Sequence, residues 1–112
     1  WCPFASRFAF ECWIAARTCQ SDFRQIDDRQ LAELAVFARD IIRRVKQASG
    51  QSAYNLILFS QPLQERECLH FQWYWQILPR GAKQAGFEWA TGHFVNPCLP
   101  ESAASAINSL SN

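Results

Sequence analysis

The chain has 112 residues, of which 49% are hydrophobic and 14% aromatic, and its formal net charge at pH 7 is +1. This length is typical of one domain, and the apolar content excludes an intrinsically disordered tail. The balanced charge without a basic run argues against nucleic-acid binding, and no apolar run approaches the roughly 20 residues of a membrane span.

Cysteine usage and the first residues give two further expectations. The chain begins Trp1-Cys2-Pro3 and lacks Met, so we expect a piece of a longer or processed protein. The cysteines are odd in number and form no Cys-x-x-Cys pair, so they favour small buried side chains in a reducing cytoplasm over a zinc site. The five are Cys2, Cys12, Cys19, Cys68 and Cys98.

Two elements are predicted in the first half of the chain. Residues 8–16 are rich in aromatic residues and predict a strand, followed by a loop over 17–25 with Phe23 as an apolar anchor. A helix then begins at Asp27, which forms a capping-box pattern with Gln30, and ends at Gly50. Its apolar residues repeat at helical spacing: Leu31, Leu34, Ala38, Ile41, Ile42 and Val45.

The second half of the chain predicts three strands and a closing helix. Residues 54–60 are almost continuously apolar, which favours burial on both faces of a strand. After a polar loop over 61–69 comes a strand that ends at Pro79. A loop over 79–86, a strand over 87–95 and a short helix from Pro100 follow, with a frayed tail over 108–112.

The strand before Pro79 alternates between two kinds of side chain. One face carries Phe71, Trp73, Trp75 and Ile77, which predicts a core position beneath the long helix. The other face is a row of hydrogen-bonding groups, which suits a binding surface or the solvated side of an antiparallel sheet. That row comprises His70, Gln72, Tyr74 and Gln76.

Together these elements predict a single α+β domain over residues 1–112. Its antiparallel sheet carries one long helix on one face, and a short helix closes the chain. The last three strands are close enough in sequence for an antiparallel meander. A partly apolar face left open on a chain of this size suggests a missing partner.

Three stretches of the sequence resemble the C-terminal half of galactose-1-phosphate uridylyltransferase-like proteins, which belong to the histidine-triad superfamily. They are residues 7–16 with Asp22-Phe23, the stretch 73–80 that ends Ile77-Leu78-Pro79-Arg80, and 86–97 from Gly86-Phe87-Glu88 to Asn96-Pro97, followed by Pro100-Glu101 and Ala103-Ala104. The resemblance covers nearly the whole chain and implies the α+β fold just described.

The resemblance implies a division of labour between two half-domains. In this family the first half carries a His-x-His whose second histidine attacks the α-phosphorus of a nucleotide sugar, which is nucleophilic covalent catalysis. We therefore expect the catalytic N-terminal half to be missing here, and no catalytic residue in this chain. His70 and His93 are better explained as ordinary hydrogen-bonded histidines.

The family's second half-domain often holds a structural metal, and the resemblance maps its histidine ligands onto three positions. These positions carry Phe59, Gln72 and Tyr74 here. Glutamine and tyrosine are poor metal ligands and phenylalanine is none, so we expect no metal or other cofactor in this domain. Gln72 and Tyr74 could instead hydrogen-bond across the site and hold it together without a metal.

The resemblance also implies the substrate-binding residues. The Gly-aromatic-Glu segment of the family reaches the active site of a neighbouring half-domain and contacts the sugar, which points to Phe87 and Glu88. Lys83 and Arg80 are close enough in sequence to bind a phosphate, although Arg80 could instead cap the sheet, and Glu88 could be a surface carboxylate. Expected partners are the N-terminal half-domain or a second subunit, a nucleotide sugar and a sugar phosphate.

Three functions remain open from the sequence. The first is a half of a nucleotidylyltransferase acting on hexose 1-phosphate. The second is an inactive half-domain that serves as a binding or dimerisation scaffold. The third, stacking of single-stranded nucleic acid on Phe71, Trp73 and Trp75, is disfavoured by the balanced charge.

Overall fold

A computed structural model describes residues 1–64, 68, 70–81 and 83–110. Parts of the predicted loops 61–69 and 79–86 and of the tail 108–112 lie outside these residues. The described elements confirm the α+β class, with three antiparallel strands, one long helix and a short C-terminal helix. A further short helix lies between the last strand and the C-terminal helix. These elements are β1 (Cys12–Ile14), α1 (Asp28–Ser49), β2 (Tyr54–Phe59), β3 (Tyr74–Pro79), α2 (Gly86–Thr91) and α3 (Pro100–Ser109).

Strand β3 is the centre of the sheet, with β1 on one side and β2 on the other. Ile77 of β3 lies opposite Cys12 of β1 and Leu56 of β2. Trp73 and Ile77 are fully buried in the core cluster, and Trp75 packs against it. The predicted register of the β3 stretch is therefore confirmed.

Helix α1 forms where its local signals predict it. The side chain of Asp27 accepts a hydrogen bond from the backbone of Gln30 at 2.7 Å, and the Gln30 side chain accepts one from the Asp27 backbone at 3.2 Å. Gly50 ends the helix with φ 67°, a conformation that glycine adopts without steric cost. The face toward the sheet buries Leu34, Ala38 and Val45, and Ile107 of α3 joins the same cluster.

The loop before α1 is fixed to the sheet by an aromatic contact. The ring of Phe23 stands edge-on to Trp73, with centroids 5.0 Å apart, which confirms its anchoring role. Phe71 precedes β3, and its ring packs 6.4 Å from that of Tyr74, so it does not extend the buried indole row as predicted. None of the described helices has both the length and the apolar composition for crossing a membrane.

The prediction of a fourth strand over 87–95 is wrong, because this segment begins as helix α2. Gly92 ends the helix with φ 70°, and the Thr91 hydroxyl donates to the Phe87 carbonyl at 2.8 Å. The aromatic content of the segment suits a strand, but that preference depends on a neighbouring strand to pair with. The first strand is also shorter than the predicted 8–16, and it pairs with β3.

Strand β2 differs from the prediction in its burial. Its only strand neighbour in the described part of the chain is β3, so β2 is an edge strand. Leu56, Ile57, Leu58 and Phe59 are 36–44% exposed, whereas burial on both faces was expected. A long apolar edge strand is an uncommon surface for an isolated domain, because it invites pairing with another chain.

The packing of Trp73 leads to a test of the register. Trp73 is 1% exposed, so Trp73→Ala removes a large buried side chain and should lower the free energy of unfolding by about 3–5 kcal/mol. Trp89, which is 75% exposed, supplies the matched control. Trp89→Ala should change the free energy of unfolding by no more than about 0.5 kcal/mol. Urea unfolding measures both, and equal effects would contradict the register.

Candidate functional site

A groove opens at the end of β3 where the strand leaves the sheet. Its volume is about 590 Å³, and both Arg80 and Lys83 line it. The backbone N–H of Arg80 donates to the Ala53 carbonyl at 2.9 Å, which fixes the start of the loop carrying both cations. Two cationic side chains at one groove can hold a phosphate through charge-assisted hydrogen bonds.

Sequence reasoning missed three residues that complete this groove. Trp89 of α2 contributes an exposed indole, Asn55 of β2 contributes an amide, and Phe8 forms part of the wall. An exposed indole suits stacking against a flat or apolar ligand face. The sequence signal that could have identified Trp89 is its position one residue after Glu88. The helical conformation of this segment, which the sequence did not predict, places Trp89 in the same groove as Arg80 and Lys83.

Glu88 and Phe87 lie outside the lining of this groove. One carboxylate oxygen of Glu88 accepts a hydrogen bond from the Val95 backbone and the other accepts one from the Ala85 backbone, each at 3.0 Å. These bonds, the Val95 bond above all, hold the pKa of Glu88 below its ordinary value. Glu88 therefore ties the start of α2 to the loop that follows the helix. Phe87 is exposed. Contact of either residue with a substrate stays a prediction.

The sheet face opposite α1 contains a buried carboxylate that sequence reasoning did not identify. Glu11 is 2% exposed, and one of its oxygens accepts from the Trp13 indole at 2.8 Å and from the Gln76 amide at 2.6 Å. Its other oxygen accepts from the Arg7 backbone at 2.8 Å. Gln76 is thus buried and committed to Glu11, which corrects the expectation that it belongs to an open polar row.

Three aromatic rings cross the same face side by side. Tyr74 stacks on Trp13 with centroids 4.4 Å apart and on Phe59 with centroids 4.7 Å apart, each at 13° between planes. Gln72 does not bond to Tyr74; its amide accepts from the Gln20 backbone and donates to the Trp73 carbonyl, both at 3.0 Å. The described hydrogen bonds of Gln72 do not support the possibility that it bonds across this site with Tyr74, and stacked rings occupy this place.

These positions do not fit the structural metal that the family resemblance implies. Two of the three carry stacked rings, and the amide of the third is satisfied by backbone groups. Among the residues that the structure describes, no group of three or more His, Cys, Asp or Glu side chains is placed to hold a metal ion.

The fold is that of a histidine-triad-like half-domain. A histidine-triad-like protein from Bartonella henselae shares it, with a TM-score of 0.65 and 14% identity over 96% of this chain and 76% of that one. The chain matches no family model.

The chain is also similar in sequence to an ADP-glucose phosphorylase. An ADP-glucose phosphorylase of Arabidopsis thaliana is 29% identical over 111 residues, which are 97% of this chain and 32% of that protein. A crystal structure of an ADP-glucose phosphorylase from the same plant, with bound ADP-glucose, gives a TM-score of 0.91 at 28% identity, covering 99% of this chain and 37% of the other.

A galactose-1-phosphate uridylyltransferase-like protein from Arabidopsis thaliana gives a TM-score of 0.90, also at 28% identity and 37% coverage of that protein. The resemblance indicated by the sequence is thereby confirmed. The homologues of this chain include an ADP-glucose phosphorylase and a uridylyltransferase-like protein. The chain spans only about a third of their length.

The Glu88 carboxylate leads to a pH-dependent prediction. The pKa of Glu88 is lower in the folded chain than the unfolded value of about 4.3. The ionised carboxylate therefore stabilises the fold at pH values above the unfolded pKa, and this stabilisation is lost as the pH falls through the folded pKa. Glu88→Gln should therefore destabilise the protein at neutral pH and have a smaller effect near about pH 3.

Thermal unfolding at the two pH values measures this difference. Glu101→Gln, an exposed carboxylate in the first turn of α3, serves as the control and should show a smaller change at neutral pH. If Glu88→Gln lowers the melting temperature equally at both pH values, the carboxylate charge does not hold the loop after α2.

The poor fit of the aromatic positions to a metal leads to a second prediction. Because Phe59 and Tyr74 offer stacked rings where the family places imidazoles, the purified protein should contain zinc and iron well below one equivalent. Elemental analysis after dialysis against metal-free buffer measures this. One tightly held equivalent assigned to this domain would contradict it.

Proposed function

We propose that this chain is the C-terminal half-domain of a nucleotidylyl-transferring enzyme that acts on a nucleotide sugar and a hexose 1-phosphate. The observation that carries the proposal is the match over nearly the whole chain to an ADP-glucose phosphorylase whose structure contains ADP-glucose. Uridylyltransferase-like relatives of the same fold support the same reaction class. The nucleophilic histidine belongs, in this proposal, to an N-terminal half.

The groove at the end of β3 is the proposed substrate contact of this half-domain. Arg80 and Lys83 supply positive charge for a phosphate, and the exposed indole of Trp89 supplies an apolar face for a sugar or a base. Glu88 keeps the loop after α2 in place, and its remaining lone pairs stay available to sugar hydroxyls. Phe87, exposed on the same helix, is proposed to reach across to the partner half.

The proposed partner is an N-terminal half-domain of the same protein or of a second subunit. Two features support it: the apolar edge strand β2, and the fact that the chain spans about a third of its relatives. Pairing along β2 would satisfy its free backbone groups and cover its apolar side chains. A cytoplasmic location belongs to the same proposal, with all five cysteines free as a reducing compartment keeps them.

A catalytically inactive scaffold is the second candidate. The specific observation that favours it is the stack of Phe59, Tyr74 and Trp13, which places rings where a metal-binding relative would have ligands. Such a half-domain would keep the fold and its partner surface without contributing to turnover. The two candidates differ in whether the groove binds a nucleotide sugar.

Calorimetry with ADP-glucose and UDP-glucose, on the polypeptide in which this chain occurs, tests the proposal. Arg80→Ala and Lys83→Ala should each weaken binding by roughly 10- to 100-fold, the value of one charge-assisted hydrogen bond. Arg39→Ala, at an exposed position on α1, removes the same charge elsewhere and should leave the affinity unchanged.

Each outcome of this titration separates the candidates. Binding that depends on Arg80 and Lys83, together with turnover, supports the enzyme. Failure of both nucleotide sugars to bind, with the protein folded, supports the scaffold. Binding that is insensitive to both substitutions would place the ligand outside the groove and contradict the assigned contacts.

A further inference from the structure

The segment before β1 pairs with that strand in a defined register. The backbone nitrogen of Trp1 donates to the Trp13 carbonyl at 3.0 Å, and the Trp13 nitrogen donates to the Trp1 carbonyl at 2.8 Å. Two residues that exchange both bonds form the hydrogen-bonded pair of an antiparallel ladder. Their indole rings also meet edge-on, with centroids 6.0 Å apart, on one face of this ladder.

This register places Cys2 directly opposite Cys12. One residue beyond a hydrogen-bonded pair lies the non-hydrogen-bonded pair, whose Cα atoms are about 4.5 Å apart and whose side chains are the closer of the two kinds. A disulfide requires Cα atoms roughly 4.4–6.8 Å apart. The packing agrees, because Cys2 lies against the core cluster that contains Cys12.

We propose that Cys2 and Cys12 are a redox-active pair that closes to an intrachain disulfide when the protein meets a peroxide. The Cys12 thiolate attacks one oxygen of hydrogen peroxide, which breaks the O–O bond and leaves a sulfenic acid and, after protonation, one water. The Cys2 sulfur then attacks that sulfenic sulfur, and the hydroxyl group leaves with the Cys2 proton as a second water. Two thiols and one peroxide thus give one disulfide and two waters.

The two thiols differ in a way that assigns these roles. The neighbouring Cys2 thiol, the largest influence, lowers the pKa of Cys12 and so favours thiolate at this sulfur. The same interaction raises the pKa of Cys2, which favours the protonated form there. Cys12 is buried whereas Cys2 is half-buried, so a small oxidant that enters beside Cys2 reaches both sulfurs.

Closure would constrain the loop between the two cysteines, which reaches the groove. Phe8 of this loop lines the groove beside Arg80 and Lys83. Pro3 has no N–H to donate, so the ladder does not continue past Cys2. Oxidation would therefore fix one wall of the groove.

Peptide mapping after peroxide treatment tests the pair. The protein is treated with hydrogen peroxide, remaining thiols are alkylated, and the digest is analysed by mass spectrometry before and after reduction with dithiothreitol. A reducible peptide joining Cys2 to Cys12 is expected. The melting temperature should rise by roughly 5–10 °C on oxidation and return on reduction, as expected for a closed loop of this length.

Matched variants make the outcome decisive. Cys2→Ser should abolish both the linked peptide and the rise in melting temperature, whereas Cys68→Ser, at another half-buried thiol, should preserve both. Cys98→Ser is the necessary third variant, because Cys98 is near enough to influence Cys2 electrostatically. A link from Cys2 to Cys98, or thiols that remain free after peroxide treatment of folded protein, would overturn the proposal.

Discussion

Burial of the Trp73 and Ile77 face of β3 against α1 is the constraint on which the rest of the fold depends. Both side chains are fully buried, and they meet the Leu34 and Ala38 face of the helix in one core cluster. Because β3 is the central strand, its register sets the positions of both neighbours. A slip of one residue would reverse every side chain of the strand and expose this core.

The opposite face of the sheet is held together in a different way. At one end Glu11 accepts hydrogen bonds from Gln76 and Trp13, so the oxygens of a buried carboxyl group have directed donors. At the other end Tyr74 stacks between Trp13 and Phe59, and this links all three strands through ring contacts. The face on which the sequence resemblance implied metal ligands is therefore built here from a carboxylate network and an aromatic stack.

The proposed binding and reactive groups of the described residues lie at the margins of the sheet. The groove holds Arg80 and Lys83 at the end of β3, where the sheet stops and the backbone turns into a loop. The free edge of β2 offers a place for another half-domain. The Cys2 and Cys12 pair lies at the opposite edge, next to the loop that supplies Phe8. The proposed binding groove, partner surface and redox pair thus lie around the margins of one small sheet, and Phe8 links the groove to the loop between the two cysteines.

The sequence by itself determined the features that depend on near neighbours in the chain. The capping box of Asp27 and Gln30 fixed the start of α1, and the alternation around Trp73 fixed the buried face of β3, because both signals act within a few residues. Tertiary structure alone decided that Gln76 is buried and that Trp89 lies on a helix beside Arg80. These outcomes depend on which distant segment supplies a hydrogen-bond partner or a packing surface, and no local pattern contains that information.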